Sequence, residues 1–202
     1  GRLVMAETNH TEVKELKLGQ TIRGLRMRKA LTLEELASKT GLSVALLSQL
    51  ESDVISPPVA TLLKISKNLG VNIGYFFNIE ETKAKWEVVR SEERKKVTRK
   101  LPHGRTPMSY SYESLAFRLP HRHMEPFLVE FDIDIEEEII PLSHAGEEFL
   151  FLISGELEFR SENEIIILKE GDSLYFDSSL PHCFQGRGRK KPSALVVIYP
   201  EM

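Results

Sequence analysis

The sequence predicts a two-domain α + β protein, in which a small bundle of helices precedes a barrel of antiparallel strands. Apolar residues recur at helical spacing from Leu16 to Phe77. From Tyr110 onward they alternate or form short runs between turn residues, which is typical of short antiparallel strands. The charge balance changes as well: residues 1–105 hold 19 Lys and Arg against 12 Asp and Glu, and residues 106–202 hold 8 against 18. The basic first part is therefore the one suited to a polyanionic partner.

The composition is that of an ordinary globular protein. The chain has 202 residues, of which 41% are hydrophobic and 28% charged, enough for one large domain or two small ones. No apolar run approaches the roughly 18 residues that a membrane-spanning helix needs. The first residues lack the charged and then apolar pattern of a secretory signal, and the single Cys183 excludes an internal disulfide. We therefore expect a cytoplasmic protein with no membrane span.

Four segments follow from these patterns. Residues 1–13 are polar and aperiodic, which predicts a disordered tail. Residues 14–79 form the helical domain, and residues 106–202 form the strand-rich domain. Between them, residues 80–105 read as a basic linker, since residues 83–105 carry 9 Lys and Arg against 3 Asp and Glu. We expect this linker to lead into a first strand near Trp86–Val89.

Start and stop signals divide the helical domain into five short helices. Thr32 and Glu35 have the spacing of a capping box, in which each side chain accepts a hydrogen bond from the backbone amide of the other. A left-handed glycine and a serine N-cap separate this helix from the next, and a proline pair ends the third helix. These signals are Gly41, Ser43 and Pro57-Pro58, followed by Gly70 and then Asn72, the predicted cap of a fifth helix through Phe77.

The spacing of Thr32–Ala37, Gly41, Leu47–Glu51 and Ser56-Pro57 resembles the phage-repressor (Cro-like, XRE) family of helix-turn-helix domains. The resemblance covers about sixty residues. It implies that the second helix of the unit, residues Ser43–Ser52, enters the major groove of double-stranded DNA. It also implies a two-fold homodimer that binds two half-sites about one helical turn apart.

The resemblance assigns DNA contacts residue by residue. Leu47 and Leu50 fall on the buried side of the recognition helix, so the opposite side faces the base edges. There Gln49 can form paired hydrogen bonds to adenine, whereas Val44 and Ala45 can contact thymine methyl groups, so A·T-rich positions are favoured. The full set predicted to face the bases is Val44, Ala45, Ser48 and Gln49. The predicted phosphate contacts are Arg23, Arg28, Lys29, Lys39 and the backbone amide of Ser43.

In the same family pattern, Arg26 and Glu51 form a partly buried ion pair between the first and third helices, which makes Arg26 structural rather than a DNA contact. The alternative for the whole domain is a helical bundle that has lost its DNA role and serves to dimerise or to cover a site.

The segments His144–Leu157 and Gly171–His182 resemble the two motifs of the cupin superfamily. The resemblance implies a double-stranded β-helix, a small jelly-roll barrel with a pocket in its mouth. It also implies metal ligands at His144, Glu148 and His182, while Leu142 stands where the family has a further histidine. Two imidazoles and a carboxylate suit Fe(II), Mn(II), Ni(II) or Zn(II). The same three side chains can equally bind an organic ligand or one another.

Five further side chains have simpler interpretations. His121 and His123 resemble a His-x-His pair, but no glycine follows at motif distance, so a solvated strand end is expected. Cys183 alternates away from His182 and is expected to be a buried small hydrophobe. Tyr110 and Tyr112 share one face of an early strand, and we expect them to line an effector pocket or to pack beneath it.

The two resemblances together predict a transcriptional regulator in which a small-molecule effector, with or without a metal, acts on the DNA-binding domains of a dimer. Whether it represses or activates is left open. The alternative is a non-heme metal enzyme. The run His144–Phe151 and the tyrosines Tyr110 and Tyr112 resemble those of the hydroxypropylphosphonate epoxidase, a two-part enzyme with a His-Glu-His iron site. A sugar isomerase or thiol dioxygenase barrel would leave the helical domain unexplained.

Overall fold

The computed structural model describes residues 16–77, 83–98, 109–133, 135, 138–162 and 164–201. Its first part is a bundle of four α-helices followed by a 3-10 helix at Ile73–Phe76. The predicted fifth helix is this 3-10 turn, so the α-helix count is four rather than five. The predicted tail, residues 1–13, lies outside the described residues. The α-helices are α1 (Leu18–Arg28), α2 (Leu33–Thr40), α3 (Val44–Glu51) and α4 (Val59–Leu69).

The helix ends follow the predicted signals. The Oγ1 atom of Thr32 accepts a hydrogen bond from the Glu35 amide at 3.1 Å, and the Glu35 carboxylate accepts one from the Thr32 amide at 2.7 Å. Gly41 ends α2 with a φ of 70°, a left-handed conformation that favours glycine. The Ser43 hydroxyl accepts from the Leu46 amide and caps α3. Local sequence is therefore sufficient to place the boundaries of α2 and α3.

The contact between α1 and α3 depends on a glycine that the periodicity does not single out. A Cβ on Gly19 would lie 2.0 Å from the carbonyl oxygen of Leu50 at the end of α3. The Gly19 amide, one of the unpaired amides of the first turn of α1, donates to the Asp53 carboxylate at 2.8 Å. Asp53 itself has a φ of 56° in the turn after α3. Gly19 therefore allows the backbones of α1 and α3 to approach closely.

We predict that Gly19→Ala destabilises the helical domain by about 1–3 kcal/mol, because the new methyl group overlaps the Leu50 carbonyl oxygen. Gly24→Ala on the same helix is the matched control, since a Cβ there would meet only the Arg28 guanidinium at 3.9 Å. Alanine is the better helix former, so Gly24→Ala should be neutral or stabilising. Urea unfolding followed by circular dichroism measures both variants. Equal stabilities for the two variants would show that the approach is not tight.

The second part of the chain is built of two antiparallel sheets. One has six strands in the order β1-β2-β3-β9-β4-β7, and the other has three in the order β6-β5-β8. This is the barrel of two sheets that the sequence predicts. The strands are β1 (Lys96–Val97), β2 (Tyr110–Ser114), β3 (Glu125–Phe131), β4 (Gly146–Ser154), β5 (Glu156–Ser161), β6 (Glu164–Lys169), β7 (Ser173–Asp177), β8 (His182–Arg187) and β9 (Ser193–Pro200).

The prediction of a first strand at Trp86–Val89 is wrong. These residues form no strand, and Trp86 is 71% exposed. The edge of β2 is instead occupied by β1, with Lys96 opposite Glu113 and Val97 opposite Tyr112. Apolar and β-branched residues favour a strand only where a partner edge is free, and the sequence does not show which segment reaches that edge.

Part of the predicted linker is an ordered element that joins the helices to the barrel. Within residues 83–98, Ser91–Glu93 form a 3-10 turn and β1 joins the six-stranded sheet. The Lys95 ammonium donates to the Phe77 carbonyl at 2.7 Å, and the Ser56 hydroxyl donates to the Thr98 carbonyl at 2.6 Å. This portion of the linker therefore packs on the helical domain.

Helix α4 lies between the bundle and the barrel, and this position explains why eight of its eleven residues are buried. At its N-terminal end, the Tyr112 hydroxyl donates to the Pro57 carbonyl at 2.8 Å. The Phe77 ring lies 6.4 Å from the rings of Tyr112 and Phe127, which belong to β2 and β3. At the other end, the Lys67 ammonium donates to the Glu201 carbonyl. The two domains thus share one hydrophobic core.

A buried carboxyl group lies beside this junction. The Arg122 guanidinium donates to one oxygen of Glu125 at 2.7 and 3.0 Å, and a Cβ on Gly74 of the 3-10 turn would lie 2.7 Å from Arg122. Burial raises the pKa of Glu125 from 4.5 to about 7, and the nearby charge of Arg122 offsets only part of this effect. The proton on Glu125 is therefore held more tightly in the folded chain than in the unfolded one.

This raised pKa predicts that the free energy of unfolding falls between pH 4.5 and 7. In that range the unfolded chain has released the proton and the folded chain still binds it, so folding is favoured below the range and less favoured above it. Glu125→Gln should flatten this part of the pH profile. Glu130→Gln on the same strand, where Glu130 is 45% exposed, is the control and should keep the slope. An unchanged slope in Glu125→Gln would assign the pH dependence to another group.

Candidate functional site

The outward side of α3 is free in the described structure. Leu47 and Leu50 are fully buried against the bundle, whereas the side chains predicted to meet DNA are all exposed. The exposed set is Ser43, Val44, Ala45, Ser48 and Gln49. The barrel contacts the bundle through α4 and the 3-10 turn, so it does not cover this side. The structure therefore brings the predicted base-contacting residues together on one accessible surface.

The basic residues predicted to bind phosphate differ in whether they have a partner within the chain. Arg23, Lys29 and Lys39 are exposed, and no hydrogen bond or ion pair to another described residue holds their side chains. Arg28 is exposed too, but its guanidinium donates to the Tyr75 hydroxyl of the 3-10 turn. Arg28 therefore has an intramolecular partner that the sequence does not indicate, and a phosphate would have to share its guanidinium with Tyr75.

Arg26 and Glu51 form the ion pair that the family pattern implies. Two guanidinium nitrogens of Arg26 donate to the two carboxylate oxygens of Glu51 at 2.6 and 2.8 Å, and a third donates to the Leu31 carbonyl at 2.7 Å. The hydrogen bonds to Glu51 raise the pKa of Arg26. This pair ties α1 to α3 and holds the recognition helix in place, which is a structural role.

Within the barrel, backbone contacts set the positions of His144 and Glu148. Gly146 has a φ of 112°, and a Cβ there would lie 2.0 Å from the Tyr199 carbonyl oxygen, so only glycine fits the start of β4. The Ser178 amide and hydroxyl both donate to the Gly146 carbonyl, and the His144 amide donates to the Ser178 carbonyl at 2.9 Å. Sequence reasoning missed Ser178, because this contact joins segments more than thirty residues apart.

His144, Glu148 and His182 converge in the interior of the barrel. One ligand atom from each lies within 4.8 Å of the others. The Glu148 carboxylate is 3.2 Å from the Nε2 atom of His144 and 3.8 Å from that of His182. All three residues are at least 93% buried, with exposed fractions of 6%, 5% and 7%. The structure thus assembles the predicted ligand set from the loop before β4, from β4 itself and from the start of β8.

The protonation pattern of the cluster suits a cation. The Nδ1 atom of His182 lies 2.8 Å from the Leu180 carbonyl oxygen, which fixes a proton there and leaves the Nε2 lone pair directed at the cluster. Burial lowers the pKa of His182, which favours the neutral imidazole, although the Glu148 charge acts in the opposite direction. The Nδ1 atom of His144 is buried without a hydrogen-bond partner in the described residues. Two imidazoles and a carboxylate therefore meet at one point, and a divalent metal fits this donor set.

A narrow pocket with a cavity volume of about 60 Å³ opens beside the three ligands, and its wall is mostly apolar. Leu142 lies on its wall and pairs with His182 through backbone hydrogen bonds of 2.9 Å, so an apolar side chain occupies the place of the fourth family ligand. The pocket is lined by Val59, Ala60, Ser109, Tyr110, Phe127, Val129, Phe131, Ile139, Ile140, Leu142, His144, Glu148, His182, Cys183, Phe184, Val196 and Ile198.

The two predicted pocket tyrosines have different environments. Tyr110 lines the pocket, and its hydroxyl accepts a hydrogen bond from the Val59 amide at 3.3 Å. Tyr112 is fully buried and bonded to Pro57, so it packs under the junction and does not line this pocket. Of the remaining predictions, Cys183 is buried, while His121 and His123 are exposed in the turn before β3.

Family models match two separate parts of the chain. A helix-turn-helix family model matches residues 22–76, and a cupin domain model matches residues 129–199. The two predicted family resemblances are thereby confirmed. The chain is a two-domain protein that combines a helix-turn-helix domain with a cupin domain. In the described residues, no helix is long and apolar enough to cross a membrane.

Among curated proteins, the chain is similar over most of its length to two regulators. It is 25% identical over 180 residues to the HTH-type transcriptional regulator SutR of Escherichia coli, covering 86% of this chain and 89% of that protein. It is 23% identical over 172 residues to the HTH-type transcriptional regulator PuuR of Escherichia coli, covering 82% and 85% respectively. The similarity to each regulator thus extends over more than four fifths of both chains.

Two solved structures align with most of the chain. An HTH_3 family transcriptional regulator from Vibrio cholerae superimposes with a TM-score of 0.59 at 21% identity, over 92% of this chain and 97% of that one. This likeness supports the two-domain fold alone. The hydroxypropylphosphonic acid epoxidase of S. wedmorenis aligns over 94% and 100% of the chains at 18% identity, with a TM-score of 0.44. A score at that level supports no argument about chemistry.

The geometry predicts one metal site per chain. After removal of metal with a chelator, the protein should bind one equivalent of Co(II), with visible absorption bands that report its ligands. His182→Ala should abolish these bands, because a ligand with a fixed Nε2 lone pair is lost. His123→Ala, which changes an exposed histidine in the turn before β3, is the control and should keep them. Stoichiometric Co(II) binding by His182→Ala would place the metal elsewhere.

Proposed function

We propose that this protein is a DNA-binding transcriptional regulator that acts as a homodimer on double-stranded DNA. Its cupin barrel binds a small-molecule effector. The observation that carries this proposal is the free outward side of α3: Val44, Ala45, Ser48 and Gln49 are exposed, while the barrel packs on α4 and the 3-10 turn instead. A recognition helix must be accessible in this way to enter the major groove.

The electrostatic pattern supports the same role. The excess of Lys and Arg lies in residues 1–105, and Arg23, Lys29 and Lys39 expose their side chains in the described helices. Exposed cations attract the phosphate backbone and give binding a strong salt dependence. The acidic excess lies in residues 106–202, which are less suited to a polyanion. A role on DNA also supports the predicted cytoplasmic location.

We assign residues 14–79 to the reader and residues 106–202 to the sensor, with residues 80–105 between them and β1 completing the barrel sheet. In the sensor, His144, Glu148 and His182 would hold Fe(II), Mn(II), Ni(II) or Zn(II), and the metal would supply a Lewis-acidic anchor for the effector. The protein itself would contribute the buried ligand atoms of these three residues and the apolar wall beside them. The sign of regulation follows from whether the bound effector favours the DNA-competent form.

A non-heme metal enzyme is the second candidate, and the observation that favours it is the three-ligand cluster beside a pocket. Two features make it the weaker one. Tyr112, one of the two tyrosines that motivated it, is bonded to Pro57 outside the pocket. The outward side of α3 would also have no role in it. Oxygen uptake by the Fe(II)-loaded protein with hydroxypropylphosphonate tests this alternative directly.

We predict that Gln49→Ala relaxes the preference at one base pair of each half-site and costs about 1–3 kcal/mol of binding there. Selection from a random duplex library would first define the site bound by the unaltered protein. The salt dependence of binding to that site should then give a log–log slope of several charges. Both measurements test whether α3 is the recognition helix.

Gln185→Ala is the control for this variant, because it removes the same type of side chain from β8 of the barrel. It should keep both the sequence preference and the salt slope. If Gln49→Ala kept the original preference, the recognition surface would have to lie elsewhere. If the unaltered protein selected no sequence at all, the regulatory proposal itself would fail.

A further inference from the structure

The effector pocket has a wall that belongs to the reader. Val59 and Ala60, the first two residues of α4, line the same pocket as His144, Glu148 and His182 of the barrel. We propose that the effector is a small, mostly apolar molecule with one metal-binding head group, and that its apolar end contacts α4 directly. The proposal rests on the regulatory function above, and it makes the DNA-binding domain part of the effector site.

Tyr110 connects the pocket to the end of α4. The Val59 amide is the first amide of α4 and has no partner within that helix, and the N-cap residue Pro58 offers no side-chain acceptor. The Tyr110 hydroxyl of β2 accepts this hydrogen bond from across the domain junction at 3.3 Å. Tyr110 is also a wall residue of the pocket. A ligand that moves the Tyr110 ring therefore changes the capping of α4.

The hydroxyl of Tyr110 also has a proton to donate. Among the described residues, no acceptor for it is found in hydrogen-bonding distance, while burial raises its pKa and keeps the group protonated. A ligand atom with a lone pair can accept a hydrogen bond from this hydroxyl. Tyr110 would then bind the Val59 amide on one side and the effector on the other.

The lining of the pocket limits the chemistry of the ligand. No Lys or Arg is among the described residues that form it, so a phosphate or phosphonate with two charges would be buried with little compensation. A head group with a single negative charge can be accommodated, because its charge and that of Glu148 together balance the two positive charges of a divalent metal. Apolar side chains from β3, β8 and β9 form most of the remaining wall, among them Phe127, Phe184 and Val196. A monocarboxylate with an aliphatic body has these properties.

The path from α4 to DNA is short. The recognition helix α3 ends at Glu51, and the chain runs through Ser56 and Pro57 into the first turn of α4. Ser56 is bonded to the Thr98 carbonyl and Pro57 to the Tyr112 hydroxyl, so this segment is held by the barrel side of the junction. A displacement of the first turn of α4 therefore acts on the segment that directly follows the recognition helix.

The ligand class is tested with straight-chain carboxylates on the Zn(II)-loaded protein. Calorimetric titration with butanoate, hexanoate and octanoate should show affinity rising about fourfold per added methylene until the pocket is filled. Hexylphosphonate at pH 8 has the body of this series and a doubly charged head, and it should bind at least about tenfold more weakly than hexanoate. Ala60→Leu narrows the end of the pocket at α4 and should weaken octanoate more than butanoate. Affinities independent of chain length, or no binding, would overturn the proposed ligand class.

The coupling is tested by the ratio of DNA dissociation constants with and without saturating octanoate, using the selected duplex. The ratio should differ from one in the unaltered protein and return toward one in Tyr110→Phe, which loses the hydroxyl but keeps the ring. Tyr175→Phe loses the same atom from an exposed tyrosine of β7, outside the pocket, and should keep the ratio. Thermal unfolding checks that both variants are folded.

The outcomes separate this inference from the function on which it rests. Sequence-specific DNA binding with a ratio of one in the unaltered protein would leave the regulator in place and overturn the coupling through α4. The same holds if Tyr110→Phe keeps the full ratio, or if both tyrosine variants lose it equally. Absence of sequence-specific DNA binding would remove the regulatory function, and the carboxylate titrations would still decide the ligand class.

Discussion

The junction between α4 and the barrel is the contact on which the rest of the molecule depends. The first turn of α4 has amides that its own helix cannot bond, and one of them is bonded by a tyrosine of the barrel. The neighbouring Tyr112 holds Pro57, and the Phe77 ring packs against both Tyr112 and Phe127. Because apolar burial and hydrogen bonding coincide there, the two domains form one core. The pocket also lies at this junction, because residues of α4 and of the barrel both form its wall.

The location of the junction leaves the recognition helix free. Helix α4 uses one side for the bundle and another for the barrel, so the outward side of α3 is available to a partner. The Arg26–Glu51 pair holds α3 against α1 with two hydrogen bonds, and the same guanidinium donates a third to the Leu31 carbonyl. Loss of either charged partner would leave a buried, uncompensated charge. The reader is therefore rigid where it would meet DNA, and it is joined to the sensor through the helix that follows.

Features that depend on neighbouring residues were predictable from the sequence, and features that depend on distant ones were not. The capping box, the glycine after α2 and the boundaries of α3 follow from local spacing, and the candidate metal ligands His144, Glu148 and His182 follow from the resemblance to the cupin motifs. The close approach at Gly19 and the different environments of Tyr110 and Tyr112 depend on contacts between segments far apart in the chain. The strand at Lys96–Val97 was missed because its pairing depends on which segment reaches the edge of β2.

A three-ligand cluster in a cupin barrel is compatible with catalysis and with sensing, so the ligands alone do not distinguish the two. In our proposal, the wall opposite the ligands is what favours sensing. An enzyme needs a pocket that completes a reaction and releases its product, and nothing in that task requires the wall to belong to a DNA-binding domain. In a sensor, the binding of a ligand in the pocket must alter another part of the chain. A ligand can do this when it contacts an element whose position it changes. In this protein that element is α4, which reaches the pocket through Val59 and Ala60 and follows directly from the recognition helix. The shared wall is therefore the structural reason to regard the barrel as a sensor.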